Sequence, residues 1–268
     1  MIKASGEHKY REQLQMDASP GVRVRLFSFL FYVRFVLATL IYCVFIGIPG
    51  ILIMPFVTSA FRRKIWRNLI RFYGRFVIRA SSFPFIKVEY HDLAPAEKSA
   101  GVVVANHRSG SDAFMFGMWP GDLVQIAGEW PFKLPFFGVL AKCGGYYNIG
   151  RIGFDEFIRR ASDDILKHNV SVVGFPEGTR SVTREMGQFH GSLFRLAAKI
   201  SCPVYPFIIL GTEIVVNRQF VVSPGSIRMY KLPAVSPEQF AGWTPFQLKV
   251  YVRNLMAAKI AELEKAGN

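Results

Sequence analysis

A histidine and an aspartate stand five residues apart where an apolar run gives way to polar residues. Residues 102–116 read VVVANHRSGSDAFMF, with His107 and Asp112 in the polar part. Side chains five apart on one straight helix do not face each other, because helical neighbours are three or four apart. With His107 in a loop and Asp112 in the first turn of a helix, the carboxylate can reach one ring nitrogen and leave the other as a base. The pair therefore predicts a general base oriented by a carboxylate.

Other interpretations of this stretch remain open. A histidine beside an aspartate is often an ordinary surface or structural pair. A metal site is disfavoured, because no other histidine, cysteine or acidic cluster lies close in the sequence. Ser109 and Ser111 are disfavoured as nucleophiles because the G-x-S-x-G pattern is missing, so we interpret them as loop and capping residues.

A second polar segment also follows directly on a strand-like run. Residues 171–181 read SVVGFPEGTRS. Gly178 permits a tight turn, while Thr179 and Arg180 offer a hydroxyl and a guanidinium that suit a phosphate monoester. Glu177 could anchor the loop or orient a substrate hydroxyl. Taken alone, the segment could equally be a structural turn with a salt bridge.

The two segments together resemble the blocks of the glycerolipid acyltransferase family, the lysophosphatidate acyltransferases. That family carries an N-H-x-x-x-x-D block and an F-P-E-G-T-R-S block, matched here by NHRSGSD and FPEGTRS. The resemblance extends over residues 102–231. Further similar segments are EWPFKLPFFG at 129–138, GGYYNIGR at 144–151 and CPVYPFII at 202–209.

The chain departs from the family pattern at three positions. Asn148 and Gly150 stand where the second block usually has an aromatic and an acidic or amide residue, and His190 stands where a lysine is common. The family uses these regions to recognise the acceptor. The departures therefore bear on the choice of acceptor more than on the chemistry.

The resemblance implies a reaction for the first block. His107 would remove the proton of an acceptor hydroxyl, Asp112 would orient the imidazole, and the alkoxide would attack a thioester carbonyl with no acyl-enzyme. The acceptor would be a lysophospholipid, by default 1-acylglycerol-3-phosphate, and the product phosphatidate. The resemblance implies no resident cofactor, with acyl-CoA or acyl-ACP as co-substrate, and no metal. Another lyso-lipid acceptor, or a non-catalytic lipid-binding or membrane-remodelling protein of the same fold, is the alternative.

The resemblance also implies a phosphate site. Arg180 would hold the acceptor phosphate, helped by backbone and side-chain groups of its loop. The substrate-binding residues implied in this way are Arg151, Glu177, Gly178, Thr179 and Arg180.

Alternating strand-like and helix-like segments must position these residues. Candidate strands lie at 86–90, 102–106, 123–127, 146–149, 171–175, 204–210 and 227–231, and candidate helices at 112–119, 155–168, 191–200 and 245–265. This alternation favours an α/β fold with a central, mostly parallel or mixed sheet flanked by helices. His107 would then follow the carboxyl end of a strand, where such sheets place ligands.

The apolar segment that precedes the first strand indicates membrane association. Residues 35–57 form a run of 23 without a charge, and about 20 apolar residues suffice to cross a bilayer as a helix. Gly47, Pro49, Gly50 and Pro55 are expected to break or bend this helix. Because basic residues flank both ends, a hairpin in one leaflet is favoured over a true span or a buried core helix.

A row of arginines follows the apolar run. These residues recur at every fourth position of a candidate amphipathic helix: Arg63, Arg67, Arg71, Arg75 and Arg79. No acidic residue stands near them at helical spacing, so we expect the row to attract anionic lipid rather than to be merely a solvated face.

Charge and length complete the predicted organisation. The net charge of +14 is concentrated between Ala18 and Val88, where eleven residues are basic and none is acidic. This places the charge beside the apolar run and argues against a nucleic-acid partner. We predict a disordered arm at 1–20, a membrane-associated hairpin with the basic helix at 21–85, and an acyltransferase domain at 86–268.

The cysteines and the acceptor suggest where the protein acts. Three cysteines without a C-x-x-C spacing predict neither disulfides nor a zinc site, which fits a reducing compartment. We expect the protein at the cytoplasmic face of a membrane, the inner membrane if the source is bacterial. The expected partners are membrane lipids, a lysophospholipid acceptor, and acyl-CoA or acyl carrier protein.

Overall fold

The computed structural model describes residues 21–97, 99–181 and 185–266. The disordered arm predicted for residues 1–20 lies outside the described residues. The described part contains a pair of long N-terminal helices followed by an α/β unit.

A seven-stranded sheet forms the centre of the α/β unit. Its strands are β1 (Ile86–Asp92), β2 (Val102–Ala105), β3 (Leu123–Ala127), β4 (Tyr147–Asn148), β5 (Ser171–Gly174), β6 (Val204–Leu210) and β7 (Gly225–Lys231). Their order is β1-β7-β6-β2-β5-β3-β4, and all neighbours pair in parallel except β6 and β7. The predicted α/β fold with a mostly parallel sheet is confirmed, and each predicted strand is present.

The helices are α1 (Val22–Phe56), α2 (Ser59–Ser82), α3 (Asp112–Met115), α4 (Glu129–Lys133), α5 (Pro135–Gly144), α6 (Phe154–His168), α7 (Ser192–Ile200), α8 (Thr212–Val215) and α9 (Pro245–Ala266). Helices α4, α5 and α8 were not predicted. Prolines at the start of α5 and within α4 hide the helical pattern in the sequence, although proline is well tolerated in a first helical turn.

Apolar side chains cover both faces of the sheet. Along β2, Val102 and Val104 belong to the core on one face, and Val103 and Ala105 to the core on the other. All four are fully buried, because successive strand residues point to opposite faces. Strand β2 is therefore held in the interior, which fixes where the loop after it leaves the sheet.

The N-terminal helices form a hairpin whose turn lies later than the sequence suggested. Among the described residues, α1 is the one helix long and apolar enough to cross a membrane, with 35 residues. The expected break at Gly47 to Gly50 is absent. Pro49 has no amide hydrogen for a helical bond, but a π turn at Cys43–Gly47 precedes it and the helix continues. The chain reverses at Val57 and Thr58 instead.

Hydrogen bonds and packed rings join the two helices of the hairpin. The Tyr42 hydroxyl donates to the Leu69 carbonyl at 2.7 Å, and Thr39 Oγ1 lies 3.0 Å from the Tyr73 hydroxyl. Many other apolar side chains of α1 are exposed, among them Phe29, Phe45 and Phe56. Insertion of this surface into a membrane stays a prediction.

The arginine row of α2 points largely into the protein. Arg67 forms a two-point ion pair with Asp122, with Nε to Oδ1 at 2.8 Å and Nη2 to Oδ2 at 2.9 Å. Arg71 donates to the Gly121 carbonyl at 2.7 Å, and Arg75 to the Gly117 carbonyl at 2.5 Å. For these three arginines the expectation of a lipid-facing row is wrong, because their acceptors come from a distant loop, 117–122.

Two glycines allow α2 to lie directly on this loop. A Cβ at Gly117 would stand 3.2 Å from the Arg71 carbonyl oxygen and 3.2 Å from the Arg75 nitrogen, and one at Gly74 would stand 3.2 Å from the Phe114 carbonyl oxygen. Side chains at either position would force the two backbones apart. The hairpin is therefore attached to the α/β unit by backbone contact as well as by arginines.

Asp122→Asn should strongly destabilise the protein, because it leaves the buried Arg67 guanidinium without its ionic partner. Breaking a buried pair in this way costs about 3 kcal/mol or more. We expect a lower free energy of unfolding in denaturant titrations of the detergent-solubilised protein. Asp163→Asn, which removes an exposed pair with Lys167 on α6, is the matched control and should change it by less than about 1 kcal/mol. Equal losses in the two variants would contradict the role of Asp122.

Candidate active site

The loop that carries the predicted base begins at a fixed point of the sheet. Asn106, fully buried after β2, donates from Nδ2 to the Ile209 carbonyl and accepts at Oδ1 from the Ile209 amide, both at 2.8 Å. Its side chain thus extends the pairing of β2 with β6 by one residue. His107 follows at the carboxyl end of β2, where the sequence predicted it.

The structure brings His107 and Asp112 together. His107 Nδ1 lies 2.9 Å from Asp112 Oδ2, and the same oxygen accepts the backbone amides of Arg108 at 2.7 Å and Ser109 at 2.8 Å. Since Oδ2 accepts these bonds, we assign the ring hydrogen to Nδ1. Nε2 then carries a lone pair and can accept a proton. The Asp112 side chain is fully buried, whereas 19% of the His107 side chain is exposed.

A bend makes the five-residue spacing work. The chain turns through Ser109 to Ser111, and Asp112 is the first residue of α3. The carboxylate therefore points back at the amides of the turn as well as at the ring. The same oxygen therefore fixes both the backbone of the turn and the orientation of the ring.

The imidazole is also held from one face by an aromatic ring that the sequence analysis did not single out. Phe175, directly after β5, stacks on His107 with ring centroids 4.0 Å apart and 14° between the planes. Strand β5 pairs with β2, so the residues that follow the two strands are neighbours. The sequence signal that could have predicted this contact is the aromatic residue that begins FPEGTRS.

Glu177 joins the two loops, and both of its oxygens accept hydrogen bonds from the protein. Its Oε1 accepts the His107 amide at 2.9 Å, and its Oε2 accepts the Ser181 hydroxyl at 2.5 Å and the Gly187 amide at 2.7 Å. The Ser181 amide returns a bond to the His107 carbonyl at 2.8 Å. Of the two roles considered for Glu177, these bonds support the anchor, and its part in substrate binding stays a prediction.

The FPEGTRS loop places a guanidinium beside the imidazole loop. Gly178 adopts a left-handed conformation with φ of 71°, and a Cβ there would lie 2.9 Å from His190 Nε2. A Cβ at Gly110, in the His107 loop, would lie 3.7 Å from Arg180 Nη1. Arg218 fixes the loop by donating from Nη2 to the Arg180 carbonyl at 2.9 Å.

These groups share one large cavity. It has a volume of about 1180 Å³, and His107, Gly178, Arg180 and His190 line its polar part. Most of the remaining lining is apolar and includes Phe31, Phe35, Tyr73 and Val77 of the hairpin, together with side chains from α3, α4 and α5. A cavity with a few polar groups in an apolar wall suits an amphiphilic ligand.

Besides Glu177, two further predicted binding residues, Arg151 and Thr179, lie outside the lining of this cavity. Arg151 is largely exposed and donates to Glu129 Oε1 at 2.8 Å. That bond is the main reason that the pKa of Glu129 is lowered. Thr179 is exposed on the same loop as Arg180. The structure therefore collects Gly178 and Arg180 around His107 but leaves Arg151 and Thr179 apart.

A buried ionic network behind the site was not predicted either. Arg108 Nη1 lies 3.0 Å from Glu213 Oε1 and 2.9 Å from Glu264 Oε1. Only 3% of Arg108 is exposed. The network ties the His107 loop to α8 and to the last turns of α9, over a sequence distance that no local pattern reveals.

Comparison with known proteins shows what the chain is similar to. A family model described as "Acyltransferase" matches residues 86–210. A 1-acyl-sn-glycerol-3-phosphate acyltransferase of Limnanthes douglasii is 29% identical over 259 residues, covering 91% of this chain and 88% of that relative. The enzyme of the same name from Salmonella typhimurium is 27% identical over 190 residues, covering 67% and 75%.

A solved structure has the same fold. The crystal structure of the 1-acyl-sn-glycerophosphate (LPA) acyltransferase PlsC from Thermotoga maritima superimposes with a TM-score of 0.71. It is 24% identical, and the match covers 91% of this chain and 97% of that chain. The likeness includes most of the described chain rather than the sheet alone.

Glu177→Gln should lower the free energy of unfolding by about 1–3 kcal/mol, because the amide nitrogen must then face at least one of three donors. Denaturant titration of the purified protein measures this loss. Glu156→Gln, at an exposed carboxylate of α6, is the control and should stay close to wild type. If the Glu177 variant unfolded with the same free energy as the Glu156 variant, the hydrogen bonds of Glu177 between the two loops would not be needed for stability.

Proposed function

We propose that this chain, which matches the acyltransferase family model over residues 86–210, moves a fatty acyl group from an acyl thioester to the free hydroxyl of a lysophospholipid. Relatives named 1-acyl-sn-glycerol-3-phosphate acyltransferase support this acceptor, and we propose phosphatidate as the product. The donor is acyl-CoA or acyl carrier protein. The protein is thus placed in phospholipid biosynthesis.

One observation carries the proposal. The imidazole of His107, paired with a buried carboxylate, and the guanidinium of Arg180 line the same cavity, whose other walls are largely apolar. A base, an anion site and room for acyl chains are what a phosphate-bearing lyso-lipid requires. No arrangement of this kind would be needed by a protein that only binds membranes.

The proposed reaction uses each nitrogen of the imidazole differently. Nε2 takes the proton of the acceptor hydroxyl as the oxygen attacks the thioester carbonyl, and Nδ1 keeps its bond to Asp112. The tetrahedral intermediate expels the thiolate, which recovers the proton from Nε2. Asp112 stabilises the imidazolium between these two steps. Because the acceptor oxygen attacks the thioester directly, no protein atom becomes acylated.

Arg180 is proposed to bind the acceptor phosphate. A guanidinium can donate two parallel bonds to a phosphate, and Gly178, which lines the same cavity, is proposed to help it. Thr179 stays a proposal as a further donor of this loop. Arg151 belongs less well to this set, because Glu129 engages its guanidinium away from the cavity lining.

The hairpin is proposed to hold the site at the cytoplasmic face of the membrane, the inner membrane if the source is bacterial. Its apolar side chains are exposed along α1, and its helices also wall the cavity. We propose the cytoplasmic face because both thioester donors are found there.

A different lyso-lipid acceptor is the second candidate. His190 lines the cavity beside Gly178, at a position where the family commonly carries lysine. Histidine offers less constant charge than lysine near neutral pH. A panel of lyso-lipids with different head groups, each tried with both donors and analysed by product mass, decides between the acceptors.

His107→Ala should lower kcat about a hundred- to ten-thousandfold, the usual contribution of a general base. Release of free thiol from the donor, with membranes or detergent-solubilised protein, measures the rate. His168→Ala removes an exposed imidazole at the end of α6 and should retain the wild-type rate. Wild-type turnover in the His107 variant would rule out this mechanism.

Arg180→Ala should raise KM for a phosphate-bearing acceptor about ten- to a hundredfold, since a charged hydrogen bond contributes about 1.5–3 kcal/mol. A neutral monoacylglycerol acceptor should be affected far less. The comparison uses the same assay with both acceptors, and Arg159→Ala on the exposed face of α6 serves as control. Equal effects on the two acceptors would remove Arg180 from the phosphate site.

A further inference from the structure

We propose that the protein has a second membrane contact beside the cavity, a surface that we call the rim patch and define as Trp130, Lys133, Ile149 and Arg151. In this proposal the rim patch docks on the lipid surface, so that a lyso-lipid can enter the cavity from the bilayer. The inference rests on the proposed function and deepens it by naming the route of the acceptor.

The rim patch combines exposed apolar side chains with cations. Trp130 is 65% exposed and Ile149 is 44% exposed, although both also line the cavity. Lys133 and Arg151 are largely exposed and lie 3.6 Å and 2.8 Å from the carboxylate of Glu129. Two cations thus share one anion, and a positive charge is left over on the patch.

The exposed residues of the rim patch form one continuous surface, although they come from two segments of the chain. Trp130 lies in α4, and Ile149 lies in the turn after β4, which is paired with β3. A Cβ at Gly150 would stand 3.8 Å from the Cβ of Glu129, so this turn lies against the start of α4. The Arg151 to Glu129 bond joins the same two segments.

A bilayer fits this composition better than a protein partner does. Tryptophan is enriched at membrane interfaces, where its ring sits among the head groups, and an excess of lysine and arginine is attracted to anionic lipid. The cavity that Trp130 and Ile149 border also takes Phe31 and Phe35 from the hairpin. A lipid passing between these two apolar borders would keep its acyl chain out of water.

The first experiment measures Trp130 directly. The full-length protein is reconstituted in vesicles of phosphatidylcholine and phosphatidylglycerol that contain brominated acyl chains, and tryptophan quenching is compared for wild type and Trp130→Phe. We expect a quenched component in wild type that the variant lacks. Equal quenching in the two proteins would overturn the proposal. Because this arm needs no turnover, it decides the docking even if the proposed acyl transfer is not observed.

The second experiment separates docking from contact with the substrate inside the cavity. Trp130→Ala should raise KM for an acceptor embedded in vesicles about tenfold more than for a short-chain acceptor in solution. The reason is that the variant loses the free energy gained when the Trp130 ring moves from water into lipid. The matched control is Phe246→Ala, which has the same 65% exposure but lies on α9 outside the cavity, and it should change neither value. Equal effects on both acceptors, or an effect confined to acyl carrier protein as donor, would overturn the proposal in favour of an internal contact or a protein docking site.

Discussion

The site depends on one buried carboxylate oxygen. Asp112 Oδ2 receives hydrogen bonds from an imidazole and two backbone amides within 2.9 Å. These three donors satisfy the oxygen although the side chain is fully buried. The orientation of the imidazole, the shape of the loop and the start of α3 all follow from the same atom. Altering that atom would therefore disturb the backbone and the imidazole together.

Parallel pairing of β2 with β5 supplies the second half of the site. Loops that follow neighbouring parallel strands emerge at the same edge of a sheet, so NHRSGSD meets FPEGTRS although about 70 residues separate them. Glu177 then closes the contact with bonds to both loops. The sheet brings the two loops together, and the hydrogen bonds of Glu177 hold them in contact.

The parts of the structure that could be predicted are those with a local pattern. Buried strands are continuous apolar runs, and the bend between His107 and Asp112 follows from their spacing. Contacts made across the sequence could not be read in this way. Asp122, the partner of Arg67, lies 55 residues away in the sequence. Glu129, which pairs with Arg151, belongs to a helix that the sequence did not predict because proline interrupts its pattern. The hairpin turn was misplaced because a π turn accommodates Pro49.

The attachment of α2 to the loop at 117–122 has a mechanical consequence. One half of the hairpin is bound to the α/β unit by a buried ion pair and by backbone packed on backbone at Gly74 and Gly117. We therefore expect the hairpin and the sheet to behave as one rigid body. If α1 lies in a membrane, as proposed, any tilt or shift of α1 in the lipid would carry His107 and Arg180 with it, so the surrounding leaflet would set the depth of the cavity.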